Sequence, residues 1–258
     1  MTFSITRRRL LIGSVAGFGA IGLTGCDAVT QNTNVENVLE MAERLTMGGQ
    51  RLLVPRDKLA REFSEADISP TFKPNGSTAP DSEDYARMTA SGFADWRLKI
   101  DGLVERPVEL SLADLKRLPS RTQITRHDCV EGWSAIGKWI GTPLGPLLQG
   151  VRLKPGARYA VFHCADELEP RLDGSGTYCE SIDLIDAFHP QTILAYAMNG
   201  KDLEVAHGAP LRLRVERHLG YKHAKYLMRI EIKDSLAGLW GGKGGFWEDR
   251  GYEWYAGI

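Results

Sequence analysis

From Trp96 to Val104 apolar and polar side chains alternate, the two-residue period of a strand with one buried face, and the run breaks at Glu105-Arg106-Pro107. A β-hairpin is expected there. Ser111 ahead of residues 112–118, closed by Pro119, reads as a short capped helix. Residues 123–126 continue as a strand, 144–148 as a short helix after Pro143, and 159–166 as a buried strand ending in polar groups. Residues 194–198 form another strand, turned by Asn199-Gly200, a two-residue hairpin signal. Further on, Leu211, Leu213 and Val215 share one strand face while Arg212 and Arg214 take the other. On that pattern Arg214 and Arg217 are expected as solvated surface. Upstream, residues 35–45 and 56–63 carry helical material. Short strands interleaved with short helices predict an α+β domain.

Composition changes this picture little. The chain has 258 residues, 43% hydrophobic and 25% charged, which suffices for a sizeable core. A formal charge of -1 gives no general attraction to nucleic acid. The start of the chain says more. Thr6-Arg7-Arg8-Arg9-Leu10-Leu11 is a twin-arginine pattern, followed by an apolar run over 10–25 that is short for a membrane span. Leu23-Thr24-Gly25-Cys26 resembles a lipobox. The expected organisation is a signal peptide over 1–25, a tether and N-terminal wrapping segment over 26–68, and one domain over 69–258. The twin-arginine translocase would then be a partner, and Cys26 a lipid anchor at the periplasmic face of the inner membrane, which Asp27 favours. Twin-arginine export carries folded proteins, and a cofactor inserted before export is the usual reason. After Cys26 the cysteines are Cys129, Cys164 and Cys179. An odd count leaves one thiol unpaired or metal-bound, and a Cys164–Cys179 disulfide is one pairing that frees Cys129.

Candidate chemistry gathers around Arg126-His127-Asp128-Cys129-Val130-Glu131-Gly132-Trp133-Ser134, followed by Lys138-Trp139-Ile140-Gly141-Thr142-Pro143-Leu144. This is neither zinc spacing nor a redox Cys-x-x-Cys. Cys129 is either a small buried apolar residue or a single thiolate ligand to a soft metal whose other ligands come from a cofactor. Three further stretches stand out. Ser69-Pro70-Thr71-Phe72-Lys73-Pro74-Asn75-Gly76 is a turn-rich loop. His207-Gly208-Ala209-Pro210-Leu211-Arg212 precedes Gly220-Tyr221-Lys222-His223-Ala224-Lys225-Tyr226, whose lysines, imidazole and loop amides suit a phosphate ester. The tail over 238–255 is too aromatic to be left in water and should fold back.

Together these motifs resemble the sulfite oxidase family, in the version found in bacterial sulfite-oxidase-like proteins and periplasmic methionine sulfoxide reductases. The resemblance runs from about Ser69 to the C-terminus. It implies a sulfite-oxidase-type molybdopterin-binding domain with mixed, mainly antiparallel sheets and short helices. It implies a molybdenum-molybdopterin cofactor with Cys129 as the metal ligand and oxygen-atom transfer as the reaction. Asn75, His207, Arg212, His223, Ala224 and Lys225 match pterin-binding positions, Ala224 through its backbone. Cys164 and Asp166 are reached by two alignments that disagree by two residues. Tyr252 matches a tyrosine beside the metal, with Arg250 close to it in sequence. Arg126, His127 and backbone amides near Cys129 are candidates for tuning the ligand.

The same resemblance divides over substrate. Sulfite oxidases carry arginines just after the ligand cysteine, where this chain has Val130, Glu131, Gly132 and Trp133. That favours a sulfoxide or another small oxo-acceptor or donor over sulfite, while Tyr252 resembles the oxidase side. With no haem-binding Cys-x-x-Cys-His, electrons would pass through a separate partner, a membrane cytochrome b. Three rivals are a sulfite-oxidising enzyme, a non-catalytic lipoprotein that retains the fold, and a thiol hydrolase using Cys129 with His127, His163 or His207 as base.

Overall fold

The computed structural model describes residues 33–258. The twin-arginine motif, the lipobox and Cys26 lie outside the described residues. The described residues divide between Gly49 and Gln50 into two compact units. Helix α1 (Thr33–Leu53) is amphipathic, with Val38, Leu39, Leu45, Leu52 and Leu53 exposed. No described helix is long and apolar enough to cross a membrane.

The helix expected over 56–63 does not form. Instead Phe63 N–H donates to Ile124 O, Glu62 bridges Thr125, and Ala60 binds the Gln191 side chain through both backbone groups. Backbone groups that a helix would satisfy internally find partners on the domain. Residues 60–63 therefore wrap the compact unit, which begins at Gln50.

The elements that follow are helix α2 (Glu83–Ala90), strands β1 (Leu98–Gly102) and β2 (Val108–Leu110), helix α3 (Leu112–Arg117), and strands β3 (Arg121–Asp128) and β4 (Ser134–Pro143). Then come helix α4 (Leu144–Val151), strands β5 (Tyr159–Glu167) and β6 (Thr177–Asp183), the short helix α5 (Leu184–Ala187), and strands β7 (Thr192–Met198), β8 (Lys201–Asp202), β9 (Arg212–Val215) and β10 (Leu227–Lys233). Local signals behave as the sequence predicts. Ser111 caps α3 in a reciprocal box with Asp114. Asn199 and Gly200 take φ of 50° and 81°, the pair of left-handed residues that a tight β7–β8 hairpin needs.

Two five-stranded sheets result. One has the order β2-β1-β10-β5-β6; the other has β3-β4-β7-β8, with β9 also on β7. Among these pairings only β1 with β10 is parallel. Leu98, Phe162 and Ile230 of the first sheet meet Leu194 and Leu213 of the second in one core. The fold is α+β with mixed, mainly antiparallel sheets and short helices beyond α1.

The second sheet's other face is not left to solvent. Phe72, Ala135, Trp139, Ile193 and Ala195 form a smaller cluster there. Arg212 and Arg214 stand on this face, their guanidinium carbons 5.0 and 4.3 Å from the Trp139 ring centroid. Arg214 is fully buried and Arg217 nearly so, which corrects the expectation of solvated surface. Alternation showed that these side chains leave the core, and could not show that loops roof the face they turn to.

The disulfide that the cysteine count left open does not form. Cys164 and Cys179 are free. On the paired strands β5 and β6 Cys179 lies opposite His163, so Cys164 projects from the other face. Cys164 accordingly packs in the main core while Cys179 packs with Val161 and Leu239. The tail does fold back: Phe246 N–H donates to Cys179 O, the Ser181 hydroxyl to Gly244 O, and Leu219 N–H to Ala256 O.

Candidate active site

Cys129 sits at the tip of the β3–β4 hairpin, just past the closing pair Asp128–Ser134. Its N–H donates to Trp133 O at 2.9 Å, and Gly132, at φ 85°, returns its own N–H to Cys129 O at 3.0 Å. Burial raises the Cys129 thiol above its ordinary pKa, and the Glu131 charge adds to this against the N–H groups of Glu131 and Val130 and the Lys73 charge. The free side chain is thus a protonated thiol at neutral pH. A bound cation would displace that proton, whereas a hydrolase nucleophile would need it removed beforehand.

Five separate stretches meet at Cys129 around a cavity with about 670 Å³ of empty space, part of it open to solvent. The hairpin tip contributes Cys129, Val130 and Glu131; the loop before α2 contributes Asn75, Gly76 and Ser77. The β5–β6 hairpin adds Asp166, Leu168 and Tyr178, while the loop before β10 adds Tyr221, His223 and Lys225. The tail closes the wall with Trp247 and Tyr252. The size is that of a pocket for a small organic molecule.

Cys129, Asn75, Asp166, His223, Lys225 and Tyr252 therefore share one wall. Arg212 and His207 stand behind it: Arg212 donates from Nη1 to His207 O at 3.0 Å and from Nη2 to His223 O at 3.3 Å. Ala224 is fully buried and its carbonyl accepts from Leu213 N–H at 2.8 Å. Two further expected residues, Cys164 and Arg250, are also off the wall. Cys164 is buried in the core, leaving Asp166 as the β5 residue that faces the cavity. Arg250 donates to both carboxylate oxygens of Glu169, at 3.0 and 2.7 Å, and to Phe246 O. Lys222 is also diverted from the phosphate-binding role its loop suggested. It lies fully buried between Glu180 and Glu248.

The electrostatics of the cavity are unbalanced. Burial, helped by the neighbouring Arg212 charge, lowers Lys225 to about 7, and burial beside Arg214 lowers Arg212 to about 9. Neither makes a salt bridge among the described residues. Lys225 is held instead by the carbonyls of Ser77 and Ala206. Burial raises Asp166, whose Oδ2 accepts from the Ser77 hydroxyl at 2.6 Å. Burial also holds His127 and His223 neutral, with Arg214 the next cause for each. Asn75 Oδ1, Asp166 Oδ1, His207 Nδ1, Arg212 Nε and His223 Nδ1 are buried without a hydrogen-bond partner. Unpaired buried polar atoms are costly, and a cluster of them beside two buried cations fits a polar anionic ligand.

Sequence reasoning missed Ser77, Leu168, Tyr178, Tyr221 and Trp247 as wall residues. Ser77 directly follows the turn at Asn75-Gly76 and could have been read with it; the others look like ordinary core side chains.

A family model described as an oxidoreductase molybdopterin-binding domain matches residues 86–238. The chain belongs to that family. It is a molybdopterin-dependent oxidoreductase with a molybdenum-molybdopterin cofactor, and the cavity's donor set agrees. Among the described residues no three His, Cys, Asp or Glu side chains gather into a metal cage. A protein of Azospira oryzae carrying the name of a protein-methionine-sulfoxide reductase subunit, YedZ1, is 37% identical over 97% of this chain and 87% of its own length. The protein-methionine-sulfoxide reductase catalytic subunit MsrP of Ralstonia nicotianae is 35% identical over 54% of this chain and 44% of its own. Among solved structures, the sulfane dehydrogenase SoxCD of Paracoccus pantotrophus matches 55% of this chain and 39% of its own, at 26% identity and a TM-score of 0.48.

Proposed function

We propose that this oxidoreductase reduces sulfoxides, with methionine sulfoxide in exported proteins as the main substrate. The observation that carries the reading is the character of the wall beside Cys129. Val130, Leu168, Tyr178, Trp247 and Tyr252 make it apolar and aromatic, and Glu131 adds an acid. Hydrogen bonds from Trp133 and Lys73 hold the Glu131 carboxyl below its ordinary pKa, so it is charged at neutral pH. A sulfite dianion would meet that carboxylate, and Arg250 is held by Glu169. A neutral sulfoxide with apolar substituents suits the same wall. The names of the relatives from Azospira and Ralstonia support this substrate class.

In this reading Cys129 holds the molybdenum. Lys225 and Arg212 supply charge to the cofactor's phosphate, and Asn75, Asp166, His207, His223 and the Ala224 backbone fill its remaining hydrogen-bond needs. When bound, the cofactor supplies two-electron exchange of one oxygen atom with the substrate. The protein's own residues orient the sulfoxide and restrict water. Tyr252 donates a hydrogen bond to the sulfoxide oxygen, and Trp247 and Leu168 pack its substituents. The S–O bond breaks, two electrons and two protons are consumed, and thioether and water leave. The electrons come from a membrane cytochrome b partner. The enzyme works in the periplasm after twin-arginine export, anchored through Cys26.

Sulfite oxidation is the second reading, because Tyr252 lies on the cavity wall. One experiment separates them. Holoenzyme from a molybdopterin-competent host, reduced with a viologen dye, is assayed on free and peptide-bound methionine sulfoxide, and the oxidised enzyme on sulfite. Dye oxidation by the sulfoxides, with molybdenum and turnover both lost in Cys129→Ser, is expected. Turnover of sulfite alone, or undiminished activity in Cys129→Ser, overturns the proposal.

A further inference from the structure

Behind the Cys129 turn runs a chain of buried polar groups that the assignment of cofactor contacts does not use. Arg214 donates through Nε and Nη2 to the two carboxylate oxygens of Glu216, at 2.8 and 2.6 Å. Gln123 Nε2 donates to Glu216 Oε1 at 2.8 Å, which ties this pair back to β3. Arg214 also lies across Trp139 of the intervening strand β4. Anchored on these sides, its Nη1 stands 3.0 Å from His127 Nδ1. A guanidinium has donors only, so Nδ1 accepts and the ring carries its proton on Nε2.

The other edge of the ring is closely packed, although Nε2 finds no hydrogen-bond partner. A Cβ added at Gly220 would lie 2.5 Å from His127 Nε2 and 3.2 Å from Asp128 O. Glycine there lets the loop that carries His223 and Lys225 rest directly against the imidazole and the strand end. The His127 ring also meets those of Phe72 and His223, at centroid distances of 5.6 and 5.1 Å. His127 is therefore wedged between a rigid guanidinium and the cofactor-side loop, two residues before Cys129. The charged side chains of the hairpin itself are anchored nearer solvent. Glu131 is half-exposed and Arg126 is exposed in its pairing with Asp128.

We propose that Arg214 is a positioning residue for the molybdenum ligand: through its hydrogen bond to His127 it fixes the end of β3 and so the place of the Cys129 sulfur. This rests on Cys129 binding molybdenum. A ligand on a hairpin tip needs such support, because metal–sulfur geometry depends on the groups that hold the ligand.

The test uses the molybdenum-loaded enzyme and its Mo(V) electron paramagnetic resonance signal. His127→Asn keeps an acceptor oxygen where Nδ1 stands, so its bond to Arg214 survives. His127→Gln carries its amide out to the place of Nε2 and leaves Arg214 Nη1 without that acceptor. Arg214→Lys keeps the charge beside Glu216 but loses the fork. The signals of His127→Gln and Arg214→Lys should shift from wild type, with metal content retained, while His127→Asn overlays on wild type. Should Arg214→Lys fail to fold, the two His127 variants decide alone. Unmoved signals in His127→Gln, or a shift in His127→Asn as large as that in His127→Gln, overturn the proposal. Nitrogen-15 shifts of the full chain give an independent reading, and a proton on His127 Nδ1 would also overturn it. Wild-type enzyme lacking molybdenum sinks the cofactor assignment itself; a normal wild-type signal with unmoved variants sinks only the role of Arg214.

Discussion

Tyr252 and Cys129, brought from the aromatic tail and from a hairpin tip, line the same cavity. The Tyr252 ring is held by Tyr221 and Trp247, each at a centroid distance of 5.2 Å. Its backbone N–H donates to Trp247 O at 3.0 Å. A phenol fixed in this way on the same cavity wall as Cys129, the proposed metal ligand, can donate a hydrogen bond to a reacting oxygen. Tyr252→Phe keeps the ring packing and removes that donor. We expect turnover to fall by about 100-fold, the lower end of what a positioned proton donor contributes. Molybdenum content should not change. Steady-state assays alongside metal analysis check both parts, and full activity would remove Tyr252 from the chemistry.

Lys225 makes the cofactor-free protein sensitive to pH. Its folded value of about 7 lies below the ordinary 10.5, so above pH 7 the unfolded chain binds more protons than the folded one. The penalty of burying the charge is then fully present below about pH 7 and is relieved as pH rises toward 10.5. Apoprotein stability should therefore gain from Lys225 across that interval, and Lys225→Met should remove the gain. Denaturant midpoints at several pH values measure it. If Lys225 meets the cofactor phosphate as proposed, the lysine returns toward its ordinary value and the slope flattens in the holoenzyme.

Lys222 answers a different need. It is fully buried between Glu180 and Glu248, and the two carboxylates keep its pKa raised against the opposing effect of burial. Lys222→Met leaves the acidic pair without its cation. The loss of stability should be about 3–5 kcal/mol, the usual cost of breaking a buried ion pair from one side. Chemical denaturation checks the magnitude. A loss of cofactor phosphate binding without loss of stability would show that the lysine serves the site instead.

Arg250 should tolerate replacement. Its guanidinium is committed to Glu169 and to Phe246 O, and its hydrogen bonds hold the Glu169 carboxyl down to about 2. Arg250→Met should leave kcat/KM for a sulfoxide within about twofold, since an exposed pair of this kind contributes little. The pair's contribution to stability is present above the ordinary glutamate value and is lost as pH falls through about 2. A large drop in kcat/KM would return Arg250 to the substrate pocket.

What the sequence by itself determined is local. Ser111 before Asp114, Asn199-Gly200 between two strands, and the alternation from Trp96 act through neighbouring residues, so the cap, the turn and the hairpin are legible in a line of letters. Spaced motifs also pointed to Cys129, Asn75, His223 and Lys225 as parts of one site. The fate of each charge was decided only in three dimensions. Lys222 and Lys225 stand three residues apart on one loop, yet one is clasped between two buried glutamates and the other faces the cavity. Arg214 reads as surface by parity and is buried because loops from elsewhere cover its sheet face. Residues 56–63 have helical composition and form no helix because Gln191 and β3 offer the backbone of residues 60–63 other partners. Periodicity records which way a side chain leaves its strand, and only packing between distant segments settles whether it meets water, a carboxylate or a ligand.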